Sequence, residues 1–269
     1  MKTMKITMLG TGNANVTKCY NTCFALSEQE QYFLVDAGGG NRILTILEEE
    51  NIPLSSIHDV FVSHCHTDHV LGVIWIIRMV GQSMNKGQYE GNLNLYCHRE
   101  LAQDLERICG MMLAKKVLRL FGDRIRFIIL NDGDCRRILG DEIRFFDMGS
   151  VKMKQFGFVL TTKEGVKLAC CGDETMNEKV IPLVKNSDWL MHEAFCLYAE
   201  KDIFKPYEKH HSTVKDACEM AETLGIRNLI LYHTEDTHIE TRKALYTAEG
   251  KSYFSGNLFV PDDRDVLEF

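Results

Sequence analysis

One short segment constrains this chain more than any other: residues 64–69 read His-Cys-His-Thr-Asp-His. The segment begins one residue after the apolar residues 60–62, which have the character of a buried strand. Three of the chain's 10 histidines lie within it. Imidazole and carboxylate groups at this density suit zinc, manganese or iron, and the bland alternative is a solvated histidine-rich loop. The segment therefore predicts a metal site whose first ligands are His64, His66, Asp68 and His69.

Composition is that of an ordinary globular protein. The chain has 269 residues, 45% hydrophobic and 26% charged, so it can bury a large core as one domain or two small ones. No low-complexity linker or repeat separates two halves, and we predict a single domain over residues 1–269. The formal net charge of -7 argues against a protein that coats nucleic acid, although a local basic groove is compatible with it.

The cysteines and the N-terminal segment indicate the cellular compartment in which we expect the protein. Ten cysteines occur without a single CxxC pair, which argues against a zinc ribbon. The N-terminal residues lack the apolar core of a signal peptide, and no apolar run approaches the length of a membrane span. We therefore expect free thiols that mostly act as small buried hydrophobic groups, a cytoplasmic location and no membrane contact.

Polar residues recur at the ends of predicted strands. The pattern alternates strands and helices, and in such α/β folds functional side chains gather where strands pass into loops. Asp36 is a candidate carboxylate that orients a ligand histidine, although a turn role explains it equally well. Each of the others also has a bland explanation as a turn or surface residue. The residues at these positions are Asp36, Asp173, His192, Glu193, His211 and His233.

The order of these motifs resembles the metallo-β-lactamase superfamily, and within it the ribonuclease Z branch. The resemblance covers nearly the whole chain, and its most specific part is residues 62–72, an HxHxDH block. Two further segments separate this branch from lactamases, glyoxalases and lactonases: residues 192–195, His-Glu-Ala-Phe, and residues 211–213, His-Ser-Thr. The remaining matching blocks are residues 9–12, 33–38, 171–173 and 231–233.

The resemblance implies a mixed α/β (α+β) chain folded as a four-layer αββα metallo-β-lactamase sandwich. It also implies a two-metal site. One ion would take His64, His66 and a further histidine, the other would take Asp68, His69 and His233, and Asp173 would bridge both. Two adjacent cations can hold and deprotonate one water and can neutralise charge on a phosphoryl or carbonyl oxygen. We expect one or two zinc ions, with manganese or iron as alternatives.

One departure from the family concerns the further histidine. The family places it after a strand and shortly before an aromatic-glycine pair, and residues 145–158 of this chain contain no histidine. By position Gly149 stands near the missing ligand, and Asp147 is the closest residue that can coordinate. The first metal would then have a carboxylate ligand from Asp147, a water in place of protein, or weak occupancy. An oxygen-richer site would favour manganese or iron over zinc, and a site with one firmly held metal is a further alternative.

The resemblance also suggests an acid. A histidine oriented by a carboxylate can protonate a leaving alkoxide, and the family assigns that role to the histidine of the His-Ser-Thr segment. His211 is therefore the predicted general acid, and Glu193 is the carboxylate that orients it. His210 could substitute if the loop register differs, and a helix-cap role is the alternative for His211. The predicted catalytic residues are Asp68, Glu193 and His211.

The substrate is the least constrained prediction. We expect a phosphodiester substrate, either a nucleic acid or a small nucleotide, and a homodimer is among the expected states. Lys152, Lys154 and Lys163 are candidates for phosphate contacts near the active-site edge. The basic residues between 99 and 126 fit a solvated helix face as well as they fit RNA. The alternatives are a lactone or thioester hydrolase of the same fold, and a non-catalytic metal- or ligand-binding protein.

Overall fold

The computed structural model describes residues 4–269, which contain two large sheets and helices on the chain segments between their strands. The strands are β1 (Lys5–Gly10), β2 (Cys23–Glu28), β3 (Gln31–Val35), β4 (Ile57–Phe61), β5 (Leu93–His98), β6 (Ile125–Leu130), β7 (Cys135–Ile138), β8 (Asp141–Asp147), β9 (Phe156–Thr161), β10 (Lys167–Cys170), β11 (Trp189–Glu193), β12 (Asn228–Tyr232), β13 (Asn257–Phe259) and β14 (Val266–Glu268). The helices are α1 (Arg42–Glu49), α2 (Thr67–Asn85), α3 (Arg99–Met112), α4 (Lys115–Leu118), α5 (Ile181–Val184), α6 (Lys201–Phe204), α7 (Val214–Thr223) and α8 (Arg242–Gly250).

The chain forms two compact units, and the first comprises residues 4–10, Tyr20–Asn131 and Arg264–Phe269. Its seven-stranded sheet has the order β14-β1-β2-β3-β4-β5-β6. The strands from β14 to β3 pair antiparallel, whereas β3, β4, β5 and β6 run parallel. The carboxyl ends of β3 and β4 therefore lie side by side, and they lead into Asp36 and the histidine-rich segment respectively.

The second unit comprises residues Thr11–Cys19 and Asp132–Asp263. Its sheet has the order β13-β12-β11-β10-β9-β8-β7, in which β7 to β10 pair antiparallel and β10 to β13 run parallel. The parallel strands β10, β11 and β12 are neighbours. Their carboxyl ends carry Asp173, Glu193 and His233, so the predicted residues of this unit share one edge of its sheet.

Each unit has its own apolar core. In the first, more than half of the residues of helix α2 are buried, which agrees with its apolar sequence, and many of them belong to that core. In the second, α7 packs on the sheet through Val214, Ala217, Cys218 and Ala221. A capping box begins α7, because Thr213 accepts from the Asp216 backbone and Asp216 accepts from the Thr213 backbone.

Close packing at Gly72 brings the start of α2 to the end of β3. A Cβ atom added at Gly72 would lie 1.8 Å from the carbonyl oxygen of Ala37. The backbone of Gly72 instead donates to Gly38 O at 2.8 Å, and Ala37 N donates to His69 O at 3.2 Å. Glycine is therefore needed at this position for the first turn of α2, which carries Asp68 and His69, to reach the loop after β3.

All ten cysteines are free and eight of them are buried, as the composition predicted. Among residues 4–269, no helix combines the length and the apolar character that crossing a membrane requires. The prediction of a single domain over residues 1–269 stays a prediction, and its first three residues lie outside the part of the chain described.

Candidate metal centre and acid-base pair

The histidine-rich segment forms a buried cluster in the first unit. Nε2 of His64 lies 2.8 Å from Nδ1 of His66, and the rings of His64 and His69 are 4.2 Å apart. Oδ2 of Asp68 lies 3.4 Å from Nε2 of His69. His64, Asp68 and His69 are each at most 5% exposed, and His66 is partly exposed at the start of α2. Two imidazole nitrogens this close, next to a buried imidazole–carboxylate pair, are an arrangement that suits a bound cation.

Asp36 contacts this cluster through hydrogen bonds from Ser63 and His69. Its carboxylate accepts hydrogen bonds from the Ser63 backbone at 2.8 Å, from the Ser63 hydroxyl at 2.6 Å and from Nδ1 of His69 at 2.7 Å. A proton on the Nδ1 that faces Asp36 leaves Nε2 of His69 with a lone pair for a metal. Asp36 has a φ of 54°, a left-handed conformation that is uncommon outside glycine and is tolerated best by Asn and Asp. The predicted carboxylate–histidine contact is therefore present.

The second unit holds the other predicted ligands at the ends of β10 and β12. Oδ2 of Asp173 lies 3.5 Å from Nε2 of His233, and both residues are buried. His233 also has a left-handed backbone, with a φ of 57°. The side-chain amide of Gln155 donates to Oδ1 of Asp173. Asp173 and His233 thus form a second group of imidazole and carboxylate donors, with a chemistry that fits zinc, manganese or iron.

His211 and the buried Glu193 form a pair in the same unit. Nδ1 of His211 lies 3.6 Å from Oε2 of Glu193, whose other oxygen accepts from the backbone of Ser212. The ring of His211 stacks on Phe195, with centroids 4.9 Å apart, and lies 5.4 Å from the ring of His233. Burial lowers the pKa of His211, but the nearby carboxylates of Glu193 and Asp173 outweigh it, so the net shift is upward.

A cavity of about 330 Å³ opens beside this pair within the second unit. Its wall includes Ser150, Glu174, Asn177, Tyr207 and His211. The hydroxyl of Ser150 donates to Glu174 at 2.8 Å, and burial raises the pKa of the Glu174 carboxyl. The cavity therefore combines hydrogen-bonding groups with a candidate acid.

The region of the absent histidine folds as a loop of residues 148–155 between β8 and β9. Asp147 ends β8, and its carboxylate accepts from the backbone of Gly149 at 2.8 Å. Gly149 has a φ of 69°, and a Cβ atom there would lie 3.1 Å from Nδ2 of Asn177. A histidine at position 149 would be strained for both reasons. The role of Asp147 as a ligand stays a prediction.

Some positions differ from the sequence-based prediction. Lys163 was expected near the active-site edge, but it lies in the turn between β9 and β10. Asp173 follows the opposite, carboxyl end of β10, so the placement of Lys163 was wrong. Lys152 lies close enough to Glu174 and His211 for its charge to affect the pKa of both.

Sequence reasoning missed two residues of these clusters, Ser63 and Gln155. Ser63 directly precedes the histidine-rich segment, and this adjacency was an available signal. Gln155 is 18 positions from its partner Asp173, and no local pattern marks it.

Comparison with known proteins identifies relatives in sequence and in fold. A ribonuclease Z of Azobacteroides pseudotrichonymphae is 24% identical over 266 residues, which cover 87% of this chain and 88% of that protein. The metallo-β-lactamase fold protein YhfI of Bacillus subtilis superposes with a TM-score of 0.80 at 18% identity, over 99% of this chain and 100% of that one. The short form of human tRNase Z gives a TM-score of 0.74 at 20% identity, over 98% of both chains.

These similarities confirm the predicted fold class and the predicted resemblance to the ribonuclease Z-like branch of the metallo-β-lactamase superfamily. A more specific assignment comes from the family model described as anti-Pycsar protein Apyc1. It matches residues 4–254, which is nearly the whole chain. The protein belongs to the Apyc1 family of anti-Pycsar proteins.

Proposed function

We propose that this protein is a metal-dependent hydrolase that cleaves phosphodiester bonds. The observation that carries the proposal is the pair formed by His211 and the buried Glu193 next to His233. A phosphodiester with an alkoxide leaving group needs an acid, whereas a lactone or thioester can be opened without one. The relatives named ribonuclease Z act on a substrate of this class, and this supports the proposal.

The proposed ligands are those that the resemblance to the metallo-β-lactamase superfamily implies. We propose that His64, His66 and Asp173 hold one ion, and that Asp68, His69 and His233 hold the other. The resemblance implies that Asp173 serves both ions. When bound, two such ions lower the pKa of a water and neutralise charge that develops on a phosphoryl oxygen. Zinc, manganese and iron all suit the donor set.

The chain's own residues supply the acid. In this proposal, His211 carries a proton toward the leaving oxygen, and Glu193 stabilises the protonated imidazole. The backbone of Ser212 fixes one oxygen of Glu193, which leaves the other to face His211. Phe195 covers one face of the imidazole ring and keeps water from that side. Asp36 orients His69 through the contact with Nδ1.

The cavity beside His211 favours a small substrate. Its volume of about 330 Å³ corresponds to a site for one small molecule. The Ser150–Glu174 pair and Asn177 offer hydrogen-bond acceptors and donors there, and Lys152 adds a positive charge near the acid. Among the substrates that the sequence predicts, a small nucleotide therefore fits this cavity better than a structured RNA.

The test uses chelation with three substrates. Protein stripped of metal is assayed on bis(p-nitrophenyl) phosphate, on a dinucleoside phosphate and on p-nitrophenyl acetate, before and after zinc, manganese or iron(II) is returned. We expect metal to restore hydrolysis of both phosphodiesters. Turnover of the acetate alone would instead identify an ester hydrolase, and bound metal without turnover of any substrate would identify a binding protein.

A further inference from the structure

Gln155 contacts Asp173 from inside the second unit, and the mechanism above gives it no role. Its side chain is 1% exposed, and its amide nitrogen donates to Oδ1 of Asp173. The other oxygen of the same carboxylate lies 3.5 Å from Nε2 of His233. The two oxygens of Asp173 therefore face different partners, and the amide of Gln155 is one of them.

The backbone around Gln155 is arranged to hold this contact. Asp147 pairs with Phe156 at the end of the β8–β9 ladder, so Gln155 is the last residue of the loop that the ladder closes. Its carbonyl oxygen accepts from Met148 N at 2.9 Å, which ties the two ends of the loop together. The position of Gln155 is thus fixed by the sheet.

Gly172 provides the space that the amide occupies. A Cβ atom added there would lie 2.7 Å from Nε2 and 2.8 Å from Cδ of Gln155. Any side chain at position 172 would push the amide away from Asp173. Gly172 also has a φ of 68°, which glycine adopts without strain. The turn before Asp173 is therefore compatible with the Gln155 contact only when it contains glycine.

An amide donor suits a carboxylate that must bind metal. It is neutral, so it orients Asp173 without cancelling the negative charge that a cation needs. It occupies one of about four lone-pair positions on the carboxylate. No histidine occurs between residues 99 and 191, so no imidazole of that stretch takes part in this arrangement.

We propose that Gln155 is a positioning residue of the metal site. It fixes the carboxylate of Asp173 so that the oxygen not bound to the amide stays directed toward His233. This role rests on the proposed function, because it presumes that Asp173 binds metal. Loss of the amide frees the rotation of the carboxylate and weakens metal binding without removing a ligand.

The test compares Gln155→Met, which keeps the length without the donor, with the near-isosteric Gln155→Glu. Metal-free protein is titrated with cobalt(II), the visible spectrum is recorded, and the zinc affinity is measured against a competing chelator. Gln103→Met, on the exposed face of α3, is the matched control. We expect zinc affinity to fall about 10- to 100-fold in Gln155→Met. Gln155→Glu should lose at least as much, because a second carboxylate would face Asp173.

Thermal unfolding of the metal-free variants separates positioning from folding: each variant should still unfold in one cooperative transition above the temperature of the metal titration. Parent-like zinc affinity and cobalt spectra in both variants would overturn the proposal. Tighter binding by Gln155→Glu would also overturn it, because residue 155 would then face the ion as a ligand. Asp173→Ala in the same series tests the proposed function itself. If Asp173→Ala loses metal while Gln155→Met does not, only the role of Gln155 fails.

Discussion

At the residue scale, function depends on a few carboxylates that each orient one histidine. Asp36 holds His69 in the first unit, and Glu193 holds His211 in the second. Both carboxylates are also fixed by backbone N–H groups, of Ser63 and of Ser212. A buried charged group with fixed partners keeps its neighbour in one tautomer and one orientation, which metal binding and proton transfer both require.

Replacement of the acid should separate chemistry from metal binding. In His211→Ala we expect unchanged metal content and a roughly hundredfold or larger loss in cleavage of a dinucleoside phosphate, the usual scale for a lost general acid. Bis(p-nitrophenyl) phosphate should be affected much less, since nitrophenolate leaves without a proton. Glu193→Gln should show the same pattern more mildly. Equal slowing of both substrates would assign His211 to binding or structure, and loss of metal would make it a ligand.

Asp36→Asn tests the carboxylate behind the metal ligands. Asparagine also tolerates the left-handed backbone at this position, so the fold should persist. An amide loses the charge that holds Nδ1–H of His69, and we expect zinc affinity to fall about 10- to 100-fold in a chelator competition. The control is Asp202→Asn on the exposed surface of α6. Parent-like affinity in Asp36→Asn would remove Asp36 from the site.

At the element scale, one glycine allows helix α2 to approach the loop after β3. Gly72→Ala places a methyl group against the carbonyl of Ala37, and we expect a loss of about 1–3 kcal/mol in the free energy of unfolding. Gly110→Ala is the matched control, because Gly110 lies inside α3 with no atom within 4 Å of an added Cβ. It should stabilise by about 0.5–1 kcal/mol. Urea unfolding measures the free energy of unfolding of both variants. A Gly72→Ala protein as stable as the parent protein would show that the close approach at Gly72 does not require glycine.

Elements with strong local patterns were predictable from sequence. The strands Ile125–Leu130 and Asn228–Tyr232 lie where their apolar runs indicate, and α7 begins at its capping box. Helix α3 continues through Gly110 and ends before Leu113, which turns into the core with extended backbone. Strand β7 was missed because it is an edge strand with two arginines and a single buried residue, Ile138.

Some residues of the candidate site were likewise predictable from the sequence, and others were not. The ligand histidines and the His211–Glu193 pair were predictable because short motifs mark them. The Gln155–Asp173 contact was not, because it depends on how the loop after β8 closes. Spacing in the sequence carries no information on such a contact, and only the sheet register brings the two side chains together.

At the scale of the whole molecule, the proposed ligands lie far apart in the sequence, from His64 to His233. The histidine-rich segment lies in the first unit, and Asp173 and His233 lie in the second. A ligand change in either unit should therefore reduce the metal content of the protein. This dependence is the central claim of the proposed metal centre.

The most direct test is elemental analysis of the purified protein and of two variants, His66→Ala from the first unit and His233→Ala from the second. We expect one or two equivalents of zinc, manganese or iron in the parent protein, and a clear loss of metal in each variant with the fold retained by circular dichroism. A well-folded parent protein without metal and without affinity for zinc, manganese or iron would contradict it.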